Sequence, residues 1–341
     1  MNKSLKTNLA IFTIGLGILA SIPCNAKGED ILKKNRIYGQ NRIETSVEIS
    51  KIGWKNGSNS VVIASAYDFA DALSAAPLAR KNNGPILLNG KDVLPKNTIS
   101  EIKRLNPKEV FILGGELVIS KGVENQLNEI GIKDVKRIYG KNRYETSIKV
   151  AKELGDVKSA FITNGETYAD ALSISSIAAT KGSPIIYTTK EKLNDNAREY
   201  IEKNNIDKIY CIGGEGVLSN NVLSSLENSK RLSGDNRYLT NMQVLKNFKE
   251  ELNFENVYFV RGDDFADALS VAPMASKKNS VVVIADKEVI RDTEILVNSN
   301  ITSESEVIAV GGENCIPEGI LDKFISDFDI LEIAMNKINL F

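Results

Sequence analysis

The sequence predicts an α/β protein made of three tandem modules, each holding a mostly parallel open sheet. Three motif blocks recur in one order at spacings of 94 to 101 residues, so one unit is present three times. Within a unit, short β-rich apolar runs alternate with stretches of helical periodicity, the pattern of strands joined by crossover helices. A period near one hundred residues is too long for a solenoid repeat and large enough for a small domain with its own core.

In the first copy, Glu44 to Ile52 has helical spacing and precedes a buried-strand run, Ser60 to Ser65. A helical stretch, Asp68 to Lys81, leads to the strand Pro85-Ile86-Leu87-Leu88. A helix over Pro95 to Leu105, a strand over Glu109 to Leu113 and a helix near Ser120 to Ile130 complete the unit. Val135 to Tyr139 then opens the next copy. The repeats are placed at 36–133, 134–229 and 230–328, after a linker at 27–35 and before a tail at 329–341 that forms a closing helix.

The chain begins with Lys3, Lys6 and an uncharged run of twelve residues from Leu9 to Ala20, followed by the small-x-small triplet Cys24-Asn25-Ala26. This is the pattern of a secretory signal over residues 1–26, and the run is too short to span a bilayer. Without Lys3 and Lys6 the formal charge moves from −1 to −3, which leaves no global basic field for nucleic acid or an anionic membrane. Attraction for a polyanion must then be local. Only Cys211 and Cys315 follow the signal, so disulfides do not underlie stability. Histidine is absent from all 341 residues, which excludes His-based triads, histidine general bases and nearly all zinc sites.

The first block is Arg36-Ile-Tyr-Gly-Gln-Asn-Arg42-Ile-Glu-Thr45. It returns at Arg137 to Thr146 and at Arg231 to Thr240. Arg42, Arg143 and Arg237 persist just before a helix, where a planar fork of donors suits phosphate or carboxylate; a bridge between modules accounts for them equally well. Arg36, Arg137 and Arg231 carry the same two readings. The second block places Asp71, Asp170 and Asp267 three residues after Asp68, Thr167 and Asp264, which resembles a capping box. A metal-binding role for these carboxylates is the alternative, without repeated partner carboxylates to support it. The third block ends a strand in Gly-Gly-Glu at Gly114-Gly115, Gly213-Gly214 and Gly311-Gly312, read as a tight turn requiring positive φ, or as a phosphate-facing turn. Cys211 lies in a strand core and Cys315 in a turn, with no base to activate either.

Taken together, these blocks resemble the clostridial cell-wall-binding repeat of type 2, found in three tandem copies in surface-layer-associated wall proteins. The resemblance covers nearly the whole chain after the signal. It implies Toprim- or Rossmann-like open-sheet modules around a pseudo-threefold axis, and non-covalent attachment to an anionic, teichoic-acid-like cell-wall polysaccharide, with other surface-layer proteins as further partners. The strand motif matches best at Ile86-Leu87-Leu88, while Ile185-Ile186-Tyr187 and Val282-Val283-Ile284 depart from it; the strand is expected to support a groove from the core. No cofactor, metal, nucleic-acid partner or membrane span is expected. No separate effector domain fits the remaining residues, so attachment is the expected activity, against the alternatives of a carboxylate hydrolase or phosphotransfer enzyme and of a surface adhesin.

Overall fold

The computed structural model describes residues 32–338; the signal segment expected at 1–26 lies outside them, with most of the linker and the last three residues. The first stretch runs β1 (Lys33–Ile37), α1 (Arg42–Gly53), β2 (Ser60–Ser65), α2 (Ala75–Lys81), β3 (Ile86–Asn89), α3 (Lys96–Leu105), β4 (Glu109–Leu113), α4 (Lys121–Glu129) and β5 (Val135–Ile138). The second runs α5 (Arg143–Glu153), β6 (Ser159–Asn164), α6 (Ala169–Lys181), β7 (Ile185–Thr188), α7 (Asp195–Lys203), β8 (Lys208–Ile212), α8 (Asn220–Ser224) and β9 (Ser229–Leu232). The third runs α9 (Arg237–Asn247), β10 (Asn253–Arg261), α10 (Ala266–Ser276), β11 (Ser280–Ala285), α11 (Arg291–Asn298), β12 (Glu306–Val310) and α12 (Glu318–Ile338).

Three four-stranded sheets result, ordered β3-β2-β4-β5, β7-β6-β8-β9 and β11-β10-β12-β1. All pairings are parallel, as βαβ crossovers require. Strand β2 is buried along its whole length, the signature of a strand covered on both faces. Ile86, Leu87 and Leu88 are fully buried on a sheet edge that α1 protects: the Leu88 N–H donates to Ser46 Oγ at 3.0 Å. Ser147 and Asn241 accept from Tyr187 and Ile284 in the same way, so the departures from the Ile-Leu-Leu pattern leave this edge geometry intact.

Each sheet takes its fourth strand from the start of the next repeat. Arg137 is on β5 in the first sheet and Arg231 on β9 in the second. Strand β1, at the N-terminal end of the described residues, pairs with β12 and places Arg36 opposite Ala309. The sheets are therefore offset from the sequence repeats, and the third is completed from the other end of the chain. The helix beginning at Glu318 runs on through Ile338, so the helix expected from Asp329 is a continuation of the third module's last helix.

Helices α2, α6 and α10 pack on one another about a pseudo-threefold axis. Their sequences are rich in Ala and Ser, which permits close backbone approach. The continuous helix expected over Asp68 to Lys81 is broken: a 3₁₀ turn, Ala72–Ser74, precedes α2, and Pro77 lies in the first turn of α2, where a missing N–H costs little. Phe69, Tyr168 and Phe265 meet at the axis with centroid separations of 5.5, 6.0 and 6.3 Å. Aromatic pairs of this kind add about 0.5–1.5 kcal/mol each beyond their buried area.

Candidate functional site

The Arg-x-x-Gly-x-Asn-Arg-x-x-Thr block is first a device for starting a helix against a strand. Asn41, Asn142 and Asn236 are N-caps whose side chains accept from first-turn N–H groups, a contribution of about 1 kcal/mol each. The Thr45, Thr146 and Thr240 hydroxyls accept from the N–H of Gly39, Gly140 and Gly234. A Cβ at any of these glycines would collide with the side chain at 44, 145 or 239, so the loop closes this tightly only with glycine.

The two arginine rows are then committed to the protein. Arg36 donates to the carbonyls of Gly311 and Ile316 and pairs with Glu318 at 2.7 Å. Arg137 donates to Gly114 and Ile119 and pairs with Glu124 at 2.6 Å. Arg231 donates to Gly213 at 2.7 Å and, among the described residues, has neutral partners alone near it, the Ser219 carbonyl and the Asn220 amide oxygen. This row ties each fourth strand to the Gly-Gly turn beside it.

The second row crosses the seams. Arg42, Arg143 and Arg237 donate to the carbonyls of Ala66, Gly165 and Gly262, each just past a central strand. Their guanidinium groups lie 5.8, 5.4 and 5.4 Å from the rings of Phe265, Phe69 and Tyr168, each on the neighbouring module. Arg42 also pairs with Asp264 at 2.8 Å. Each of the three guanidinium groups thereby spans a seam between modules by cation–π contact.

The aspartates do not form the expected capping box. Helices α6 and α10 start after Tyr168 and Phe265, without a side-chain cap. Asp68 and Asp264 accept from N–H groups two residues on. The carboxyls of Asp71, Asp170 and Asp267 instead face Gly114, Gly213 and Gly311, where an added Cβ would meet an Oδ2 atom. These first glycines have φ of +106°, +116° and +103°, so they serve both the turn and the close carboxyl. The tertiary contact overrides the local spacing. Burial drives Asp170 up to about 6 against a nearby Arg237, and drives Asp267 up to about 7 with help from Asp264. Asp71 is raised too, chiefly by burial and held back by Thr146. Among the described residues, no three His, Cys, Asp or Glu side chains form a group able to hold a metal ion. Cys211 is buried and Cys315 partly so, and burial is the main cause raising both thiols.

In the order β3-β2-β4-β5 the connection reverses between β2 and β4, and ligand crevices of open α/β sheets form at the carboxyl ends of strands at such a point. Here Asp71 follows β2 and Gly114-Gly115 follows β4. A crevice of about 550 Å³ opens between them and the start of the next repeat, lined by Asp71, Gly115, Leu117, Tyr139, Lys141 and Arg143. The equivalent residues place the same elements at the other two seams. Leu117, Tyr139 and Lys141 were not marked by the repeat pattern, because they are among the positions where the copies differ.

Residues 36–124, 137–223 and 231–321 each match the family described as cell wall binding domain 2 (CWB2). The chain belongs to the CWB2 family. Two solved structures share its architecture: Cwp6 from Clostridium difficile, with a TM-score of 0.82 and 31% identity over 87% of this chain and 48% of that one, and Cwp8 from the same organism, with 0.79 and 32% over 87% and 52%. The N-acetylmuramoyl-L-alanine amidase LytC of Bacillus subtilis strain 168 is 35% identical over 80% of this chain and 54% of its own length. The amidase enhancer of the same strain is 35% identical over 76% of this chain and 36% of its own length. The chain thus spans about half of the amidase and about a third of the enhancer. CWB2 is a binding domain, and a cell-wall polymer is the partner class it implies. Among the described residues, no helix is long and apolar enough to cross a membrane.

Proposed function

We propose that this CWB2 chain is secreted and attaches non-covalently to the Gram-positive wall by binding an anionic, teichoic-acid-like secondary polymer, and that attachment, not catalysis, is its activity. The observation that carries this reading is one framework repeated at three seams, with an aspartate carboxyl facing the first glycine of the Gly-Gly turn and an arginine crossing to the neighbouring module's aromatic ring, and a crevice open beside it at the first. A polymer of repeating units can occupy several such sites on one chain, and linked weak contacts give long retention. The carboxyl of Asp71 suits sugar hydroxyls as an acceptor, and Lys141 at the lip of the first crevice suits the polymer's anionic groups.

The test is pull-down of the full chain on protein-free Gram-positive cell walls, before and after hydrofluoric acid removal of the phosphate-containing polymer. Retention is expected on intact walls, falling with added salt as screening shortens and disappearing on extracted walls. Equal retention on extracted walls would overturn the polymer as the partner.

A further inference from the structure

The three seams share their frame and differ at their lips. At the first seam Tyr139 stands half exposed over the crevice. Its ring lies against Gly115, where an added Cβ would be 3.5 Å from Cδ2. Lys149 fixes the residue by donating to its carbonyl at 2.8 Å, with the ammonium 5.6 Å from the ring centroid; Lys149 also pairs with Glu145 at 3.4 Å. Lys141 is exposed beside the ring, and Leu117 stands out 87% exposed on the opposite lip.

None of this is reproduced in full elsewhere. At the second seam, Ser233, Asp235 and Gln243 occupy the positions of Tyr139, Lys141 and Lys149. The aromatic platform is gone and an acid replaces a lysine. At the seam closed by β1, Tyr38 keeps the ring, but Gln40 and Glu48 replace the two lysines. An added Cβ at Gly312 would meet nothing within 4 Å, so no ring leans on that turn. The Gly-Gly-Glu glutamate is common to all three copies and does not distinguish them.

We propose that the first crevice is the principal seat of the wall polymer, and that it takes one sugar ring on the Tyr139 face with the adjoining anionic group on Lys141. This rests on the polymer-binding reading above and narrows it from three seams to one. A sugar ring presents apolar C–H faces that an aromatic ring of fixed orientation can cover, and its hydroxyls find an acceptor in Asp71 on the crevice wall. The charge on Lys141 supplies the preference for an anionic repeat unit. The other two seams then serve as weaker secondary contacts or as structural joints.

The experiment compares Tyr139→Ala, Tyr139→Phe and Lys141→Glu at the first seam with Tyr38→Ala and Gln40→Glu at the third, each in the full chain. Protein-free Gram-positive walls that retain their anionic polymer are the probe. Tyr139→Ala and Lys141→Glu are each expected to weaken wall binding by about tenfold, as loss of an interface anchor does. Tyr139→Phe, Tyr38→Ala and Gln40→Glu should stay within about twofold of the parent chain. Thermal unfolding of each variant identifies any that fails to fold; Lys141→Glu, on an exposed lysine, then decides. Parent binding with no loss at the first seam, or with equal loss at the third, overturns this assignment while leaving polymer binding standing. Failure of the parent chain to bind these walls overturns both.

Discussion

The joint between the first two repeats and the joint that closes the third use the same contacts but differ in how the chain reaches them. In the first, Arg137 on β5 ties to Gly114, 23 residues earlier. In the third, Arg36 on β1 ties to Gly311, 275 residues away. Loop-closure entropy grows only with the logarithm of length, so the distant joint costs about 2 kcal/mol more to form. The third joint carries extra attachments: Lys34 bonds to both Glu318 and Asp322, and Glu318 receives Arg36 as well. The second joint, with chain continuity and, among the described residues, no carboxylate on its arginine, holds Arg231 by neutral acceptors. Connectivity and side-chain attachment thus compensate for each other around the ring.

The strongest way to break this comparison is to remove β1. Deleting residues 1–40 strips β12 of a parallel partner, exposes the faces that Leu32 and Ile37 cover and discards the ion pairs to α12. The loss is comparable to the whole stability of a domain, about 5 kcal/mol or more. Amide protection in β10, β11 and β12 should collapse, while the first two sheets keep theirs. A chain lacking only residues 1–31 should match the parent. Full protection of the third sheet after deletion to residue 40 would show that β1 does not close the ring.

A finer cut compares the joints residue by residue. Arg137 and Glu124 are 10% and 11% exposed, so Arg137→Ala leaves a carboxylate with little water and only Lys121 beside it. About 3 kcal/mol should be lost, within the range for breaking a buried pair. Arg231→Ala removes hydrogen bonds to neutral acceptors and should cost about 1 kcal/mol. Chemical denaturation of the two variants measures the difference. Equal losses would mean that the carboxylate adds nothing to the first joint.

These joints mark where sequence reasoning stops. Strands such as Ser60–Ser65 and Glu109–Leu113 were legible because apolar runs between helical stretches have few other homes in an α/β chain. The threefold repeat was legible because whole blocks recur. The offset of the sheets was not: Val135–Ile138 is a short strand with two basic residues and one buried side chain, and sequence similarity begins at the arginine whichever sheet the strand joins. The arginine roles were equally hidden, since a donor fork looks the same whether its acceptor is a polymer or a carbonyl on another module. The capping-box spacing around Asp71 pointed the wrong way because it saw three residues and missed Gly114. Positions that differ between copies, Tyr139 and Lys141 among them, drew no attention in a search for what repeats.

The smallest expected effect concerns those aspartates, and it sharpens the comparison between the second and third seams. Burial is the main cause raising both Asp170 and Asp267, and Asp267 is pushed up further, with Asp264 adding a like charge where the second copy has Thr167. A folded-state value above the unfolded one means that the native protein holds the proton more tightly. Below pH 3.8 both states of Asp170 are protonated and its burial carries no charge penalty; between pH 3.8 and about 6 the unfolded chain gives up this proton while the native carboxyl holds it, so stability falls until the native group ionises too. The elevation corresponds to about 3 kcal/mol at most, and relaxation of neighbouring groups reduces the expected effect to about 1–2 kcal/mol. Asp170→Asn should therefore be more stable than the parent at pH 8 and lose that advantage by pH 4. Asp267→Asn should keep its advantage growing to about pH 7. Melting curves across this range decide the matter: a pH-independent gain, or a loss at pH 8, would show that Asp170 is stabilised in its charged form.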